Sequence, residues 1–326
     1  MPPPPQPDAA PVASFRCLDA QEQAGVLTGW NQAYWQLSRG AFAGAVDAVS
    51  VDGAYVFLES ANRALLQRGC LALGAFAVAV PIRLGGAARF CGTTCSLDQA
   101  YVYSGRDGFE FCSPADHQVA GIALAPDLVA AVAGARGHPL LPDAAAAQAH
   151  VRSADPLALN TLRQLVVGLI DAFSSNPVLV TNRHARAALK DAIIANVCDL
   201  LEEPGQVVTP RIHLRGRWAM VARARELIEA NPHEPITVAE LCSRLDVSRR
   251  TLQYCFQDVL GMRPIAYLRA MRLNRARQAL QSASSVTDAA LDWGFWHLGQ
   301  FAADYRQMFG ERPSETLQNA RRGGTR

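Results

Sequence analysis

The chain has 326 residues, half of them apolar, and a formal net charge of +2. That is too long for one ordinary domain and ample for two buried cores, while the longest apolar runs, such as Leu71 to Pro81, are broken by Gly or Pro well short of the roughly 18 residues of a membrane helix. Eight cysteines, at 17, 70, 91, 95, 112, 198, 242 and 255, have no framework spacing, which excludes a disulfide scaffold and makes most of them small core residues.

The first residues, Met1-Pro-Pro-Pro-Pro-Gln-Pro7, lack the basic and apolar regions of a secretory signal, so residues 1–13 are expected to be a disordered tail and the protein cytoplasmic. From about Ala54 to Ala125 short apolar runs alternate with turn signals: Tyr55–Leu58, Phe76–Val80, Tyr101–Tyr103, Phe109–Phe111 and Val119–Leu124, punctuated by Gly85-Gly86, Gly105 to Gly108 and Ser113-Pro114. This spacing predicts a small β-barrel or sandwich. Within it, Cys91 and Cys95 are the one pair that could bind metal, but C-x-x-x-C with no second pair or nearby histidine favours core packing. His117 beside Asp116 is the one histidine of the strand-rich part near an acid, a pairing that is more often structural than catalytic.

Two helices follow, Leu157 to Phe173 with Leu162, Leu165, Leu169 and Phe173 on one face, and Ala185 to Glu203 with Leu189, Ile193, Val197 and Leu200 on one face; Ala144 to Ala147 also turns helical. They serve either as dimerisation elements or as the closure of the barrel's own core. Residues 14–205 are thus read as an effector-sensing and dimerisation domain, and residues 206–216, rich in Pro and Gly, as a short non-helical linker.

Arg217 to Ala230 begins an all-helical domain, 217–319, ahead of a basic tail, 320–326. Its organisation is a repeat. Thr237 to Phe256 and Val286 to Tyr305 each read as a helix-turn-helix, about 48 residues apart, and each is followed by Gly-x-x-Pro, Gly261 to Pro264 and Gly310 to Pro313. Thr237-x-x-Glu240 fits a capping box and Ser285-x-x-Asp288 approaches one. The second helix of each copy, from about Ser248 to Leu260 and His297 to Phe309, has one inward face, carried by Leu252 and Phe256 in one and by Phe301 and Tyr305 in the other.

The outward face of the first copy carries Arg249, Arg250, Gln253 and Tyr254, groups that can contact base edges or phosphate. The second offers His297, Gly299, Gln300 and Ala303, a poorer hydrogen-bonding set, so the first copy is expected to specify sequence and the second to position. Between them Ile265 to Leu280 reads as one amphipathic helix with a basic side, Arg272 being its expected phosphate contact. Such a rigid helix would set the reading helices about 34 Å apart, in successive major grooves of double-stranded promoter DNA. Charge agrees: residues 211–326 hold 18 arginines against 11 acids, whereas residues 1–210 hold 13 basic and 18 acidic groups.

These residues resemble the AraC/XylS family of bacterial transcription regulators through Val247-Ser-Arg-Arg-Thr-Leu252, Gly261-x-x-Pro264, Arg272-Leu273-x-x-Ala276-Arg277, Trp293-Gly-Phe295, Phe301-x-x-Asp-Tyr305 and Phe309-Gly-x-x-Pro-Ser314. Within that family the wording is closer still to regulators of ethanolamine-utilisation operons, notably Asn231 to Val238 and Trp293 to Ala302, and more loosely Trp30, Gln32, Tyr34, Phe109–Phe111 and Ser113–Asp116. The resemblance implies an activator that works with RNA polymerase. It also implies a sensor for a small molecule, with ethanolamine and adenosylcobalamin as effectors, and needs no cofactor for DNA binding. It further implies base contacts from Arg250, Gln253 and Tyr254, with tyrosine at the last where arginine or asparagine is usual, and it places the second motif's usual arginine at Ala303.

The expected fold is therefore α+β: a β-barrel or sandwich sensor with flanking helices, then two helix-turn-helix motifs joined by a long helix. No phosphate-binding loop, nucleophile elbow or His-Glu-x-x-His pair suggests an enzyme, and no metal site or catalytic residue is assigned. For an effector the sheet region offers aromatics together with Glu59, Asp98, Asp107, Glu110 and Asp116, none of which spacing singles out.

Overall fold

The computed structural model describes residues 12–106, 108–136, 148–176, 178–202, 206–208, 212–230 and 236–323. They divide into a sheet unit, residues 1–34 and 43–209, and a helical unit, residues 35–42 and 210–326.

In the sheet unit, β1 (Val12–Cys17) leads through α1 (Ala20–Val26) to β2 (Trp30–Gln36), β3 (Gly44–Val51), β4 (Ala54–Ala61), β5 (Leu65–Leu71) and β6 (Phe76–Arg83). Short β7 (Ala88–Phe90) and β8 (Thr93–Cys95) precede β9 (Gln99–Ser104), β10 (Phe109–Ser113) and β11 (His117–Leu124). There follow α2 (Pro126–Arg136), β12 (His150–Ser153), α3 (Pro156–Ser175), α4 (Val178–Thr181), α5 (Arg183–Glu202) and β13 (Val207–Val208). The strands form an eight-stranded sheet, order β1-β3-β4-β11-β6-β9-β12-β13, and a five-stranded one, order β2-β5-β10-β7-β8.

Period-two alternation on the central strands feeds two cores at once. Phe76, Val78 and Val80 of β6, Val102 of β9 and Ile122 and Leu124 of β11 share one with α3 and α5. Their alternates Ala77, Ala79, Tyr101, Tyr103 and Val119 share the other with Phe90, Phe109 and Phe111 of the five-stranded sheet. A strand buried on both faces reads as a continuous apolar run, as these do. Small residues on the inner face leave room for rings: Gly121 pairs with Phe57, and a Cβ at 121 would lie 2.2 Å from Phe57 Cζ.

Helix α3 starts where Asp155 accepts from the Leu157 and Ala158 amides, with Pro156 in the first turn. Its buried Leu159, Leu162, Val166, Leu169, Ile170 and Phe173 join Ile193, Val197 and Leu200 of α5 in the core of the eight-stranded sheet. Of the two roles left open for these helices, core closure is the one their apolar faces perform.

The helical unit runs α6 (Ile212–Ala230), α7 (Val238–Leu245), α8 (Arg249–Leu260), α9 (Pro264–Leu280), α10 (Val286–Asp292), α11 (Leu298–Phe309) and α12 (Pro313–Gly323). Three expectations on boundaries change. Strand β1 begins inside the expected tail, at Val12. Val207 and Val208 pair with Arg152 and Val151 of β12, and α6 is already helical at Ile212, so residues 207–208 and 212–216 are not the non-helical linker expected; residues 209–211 lie outside the described ones. Residues 35–42 also belong to the helical unit. There the Gln36 amide donates to Asn274 Oδ1 (3.0 Å), Asn274 Nδ2 donates back to the Gln36 carbonyl (2.9 Å), and Gln36 Nε2 donates to the Met308 carbonyl (2.7 Å). Those bonds explain a buried asparagine in the middle of α9. Among the described residues no helix is long and apolar enough to cross a membrane.

Candidate nucleic-acid interface

The two motifs repeat down to single hydrogen bonds. Helix α7 begins with a complete capping box, Glu240 N–H to Thr237 Oγ1 (3.2 Å) and Thr237 N–H to Glu240 Oε2 (2.7 Å). Helix α10 begins with Asp288 N–H donating to Ser285 Oγ (3.1 Å), while the Asp288 carboxylate takes the Ser284 hydroxyl (2.6 Å) instead of closing the box. Each turn then needs one left-handed residue, Asp246 at φ 53° in the first motif and Gly294 at φ 74° in the second. The next amide closes the turn the same way, Val247 to the Cys242 carbonyl and Phe295 to the Ala290 carbonyl, both 3.0 Å. Glycine takes that conformation without Cβ strain, and aspartate is one of the few other side chains that tolerate it.

The second helices α8 and α11 both end at left-handed glycines, Gly261 and Gly310. Leu252, Phe256 and Val259 bury one face of α8; Phe301, Tyr305 and Met308 bury the matching face of α11. Aromatic contacts knit the second motif, with Phe295, Phe301, Tyr305 and Phe309 at centroid separations of 4.7–5.6 Å.

All four residues expected to read DNA in the first motif are exposed on α8: Arg249, Arg250, Gln253 and Tyr254. Ser248 caps that helix from the Thr251 amide (3.1 Å). Arg250 lies over the Tyr254 ring, 5.4 Å to its centroid, and donates to Tyr254 Oη (3.0 Å). Tyr254 thus orders the arginine one turn before it, and a guanidinium with a lowered entropy cost is well suited to a bidentate contact.

In the second motif His297, Gly299, Gln300 and Ala303 are exposed as well. His297 is the N-cap of α11 but makes no side-chain capping bond, and Gln300 Nε2 is occupied with Asp304 Oδ1 (2.9 Å). The sequence reading missed Trp296, 72% exposed at the mouth of this helix beside the half-exposed Leu298. The signal was there in Trp293-Gly-Phe-Trp-His297, where Trp293 and Phe295 pack partly buried against the core and the second tryptophan does not.

The basic side expected of the joining helix is used differently. Arg272, expected to touch phosphate, is half-buried over Phe295 (5.8 Å) with Nε directed to the Leu268 carbonyl (3.4 Å). Arg269 is paired with Asp304 of α11. Arg277 pairs with Glu311 (2.6 Å), covers Phe309 (4.7 Å) and reaches Tyr305 Oη (3.3 Å). These arginines of α9 brace the second motif, because their long stems and planar heads bridge packed rings and carboxylates. Arg269 is nonetheless exposed, as are Arg223, Arg244, Arg249, Arg250, Arg263, Arg306, Arg312, Arg321 and Arg322 among the described residues of the unit.

The remaining candidates are scattered. Asp98 is exposed and takes the Ser96 hydroxyl, Asp116 is an exposed turn residue at φ 52°, Glu110 is buried with Arg68 Nε at 3.9 Å, and Asp107 lies outside the described residues. Glu59 alone is buried in a cavity. Burial pushes the thiols of Cys91 and Cys95 up to about 12, and among the described residues no group of three or more His, Cys, Asp or Glu is placed to hold a metal ion. His117 is fully buried.

Two helix pairs with matching turns, each with an outward-facing second helix, define a helix-turn-helix fold. The helix-turn-helix domain family matches residues 241–319. The chain is 33% identical over 159 residues to the "Probable thc operon regulatory protein" of Rhodococcus erythropolis, covering 47% of this chain and 47% of that protein. It is 36% identical over 127 residues to the XylDLEGF operon transcriptional activator of Pseudomonas putida, covering 38% and 39%. A solved structure of a probable AraC family transcriptional regulator from Rhodopseudomonas palustris is 44% identical, covering 31% of this chain and 97% of that one, with a TM-score of 0.30. Residues 241–319 therefore carry a helix-turn-helix domain similar in sequence to those of transcription regulators. The chain spans less than half the length of the two curated relatives.

Proposed function

We propose that the protein is a ligand-responsive transcription activator that reads promoter DNA with α8 and uses α11 to hold its register, in an operon for ethanolamine utilisation. The observation that carries the DNA half is the exposed Arg249-Arg250-Gln253-Tyr254 face on a capped helix, with Arg250 ordered by Tyr254. In the second motif the exposed Trp296 and Leu298 supply apolar contact area but no charge, which suits backbone positioning more than base reading. Contact with RNA polymerase and self-association belong to the same reading, as does a cytoplasmic location. Ethanolamine is placed first as effector on the resemblance of Trp293 to Ala302 to regulators of such operons.

Footprinting upstream of the protein's own operon, with and without ethanolamine, tests the reading: protection that ethanolamine strengthens or extends supports it, and protection indifferent to every ligand leaves a ligand-free repressor in its place. An Arg250→Ala variant is expected to keep its fold and to lose about 1–3 kcal/mol of discrimination at one base pair. Arg272→Ala, by contrast, should lower the stability of the helical unit and leave the operator preference of the folded protein unchanged. Binding selections on randomised operators separate the two, and equal relaxation by both variants would contradict the placement of Arg272 as a brace.

A further inference from the structure

The two motifs match residue for residue except at one place. Thr237 and Ser285, Cys242 and Ala290, Asp246 and Gly294, and Val247 and Phe295 are each 48 positions apart. From the start of the second helix onward the spacing is 49, between Ser248 and His297, Leu252 and Phe301, Phe256 and Tyr305, and Gly261 and Gly310. The second turn therefore holds one residue with no counterpart in the first, and that residue is Trp296.

An extra residue between two fixed ones has to leave the packed side of the turn. Phe295 is fixed before it, its ring 4.8 Å from that of Phe301 and covered by the Arg272 guanidinium. His297 is fixed after it, where its carbonyl accepts the Phe301 amide (2.9 Å). Trp296 is accordingly turned outward, and its indole makes no hydrogen bond or ring contact with the described residues. A single exposed hydrophobic group needs no explanation. Here, though, three of the five large hydrophobic side chains exposed in the described helical unit are Leu291, Trp296 and Leu298, all at the mouth of one outward-facing helix.

That mouth is continuous with the outward side of α11, where His297, Gly299 and Gln300 are also exposed. From Trp293 to Ala303 the chain has no lysine, arginine, aspartate or glutamate, so charge neither draws phosphate to this mouth nor repels it. In the first motif the same mouth carries Arg249 and Arg250. An indole supplies something else: an apolar face that can cover the C–H groups of a deoxyribose, and one N–H donor for a phosphate oxygen. A residue at the entry of a reading helix stands at the edge of the groove, where sugar and phosphate are the nearest groups.

We infer that Trp296 is an uncharged anchor of the second motif to the sugar–phosphate backbone of DNA, its ring against deoxyribose and its indole N–H donating to a phosphate oxygen. The inference rests on the DNA-binding reading and assigns the register-holding role of α11 to one side chain. Since no cation takes part, the contact releases no counterion, and salt leaves its strength unchanged to first order.

Equilibrium binding of the full chain to a duplex that the natural protein selects from a randomised pool, followed over a series of salt concentrations, tests this. Trp296→Ala is expected to bind about tenfold more weakly, equally so to the selected duplex and to its single-base-pair variants. The slope of log affinity against log salt and the circular dichroism should stay as they are. Trp296→Phe keeps a ring without the donor and should fall between the two. Trp296→Arg should recover affinity at low salt and steepen the slope by about one. Undiminished binding by Trp296→Ala would overturn the inference, as would a change in self-association alone, which would make the indole a protein contact. So would a loss confined to one base pair, or a loss on replacing thymine with deoxyuridine that Trp296→Ala abolishes, because the ring would then be reading a base. A natural protein that selects no duplex removes the DNA-binding reading and this inference with it, whereas a selecting protein indifferent to Trp296 removes this inference alone.

Discussion

Replacing Phe256 with alanine is expected to destabilise the helical unit by about 3–5 kcal/mol and to abolish operator binding near body temperature. Phe256 is fully buried on α8, and its ring meets Tyr267 of α9 at 5.5 Å. It shares the inward face of the helix with Leu252, Cys255 and Val259, so its loss opens a cavity behind the arginines proposed to read DNA. A cavity this size costs the transfer energy of the ring and the contacts of its neighbours, a large fraction of the stability of an ordinary domain. Urea titration followed by circular dichroism should show one transition moved and the other in place, because the lesion lies in one of two separate units. Arg250→Ala, on the opposite face of the same helix, should move neither. If Phe256→Ala shifted both transitions equally, the two cores would not be independent.

Acid is expected to weaken the sheet unit through His117. Burial lowers its pKa from 6.5 to about 4, partly offset by the bond its Nδ1 donates to the Pro114 carbonyl (2.9 Å), with Arg83 lowering and Asp116 raising it further. Its other nitrogen faces Gln67 Nε2 at 3.5 Å, which suits an acceptor and hence the neutral ring. A histidine whose pKa is lower folded than unfolded leaves the unfolded chain holding more protons between the two values. Its contribution is thus intact above about pH 6.5 and lost as pH falls toward 4, an effect of about 3 kcal/mol at most. Glu59 acts in the opposite sense: its raised pKa means that stability falls as pH rises above the ordinary carboxyl range. The two slopes oppose each other in mildly acid solution. Glu59→Gln should therefore steepen the acid loss between about pH 6.5 and 4, and adding His117→Gln should flatten it. Urea midpoints at pH 7.5 and 4.5 for these variants decide the matter, and an unchanged slope on removing His117 would mean that the ring is protonated or solvated in the native state.

Some of this was legible in the residues alone. Both capped starts, both turns and the glycine ends lie within a few residues of the side chains that make them, and the apolar pairs Leu252/Phe256 and Phe301/Tyr305 mark the inward faces by their spacing. Local hydrogen bonds and helical period need no knowledge of the rest of the chain. The same holds for the strands β4, β6, β9, β10 and β11, whose apolar runs were long enough to stand out. Strands β1, β2, β3 and β5 were not seen, since Trp30-Asn-Gln-Ala-Tyr34 and Leu65-Leu-Gln-Arg-Gly69 mix polar and apolar groups in ways that only pairing explains. The half-burial of Arg272 was not legible for a related reason: an arginine on a helix looks solvated until a ring from another segment, Phe295, comes to lie under it.

By itself the sequence determined that the helical unit repeats a helix pair with matching starts and turns and that the first pair shows an arginine-bearing outward face, because caps, turns and one-sided helices are written in neighbouring residues. Tertiary structure alone decided which arginines face outward and which brace the second motif, that residues 35–42 join the helical unit through Gln36 and Asn274, and that Glu59, among five possible acids, is the one shut in with aromatic rings. Those outcomes depend on groups brought together from distant strands and helices, where burial strips away water and sets charge against its surroundings.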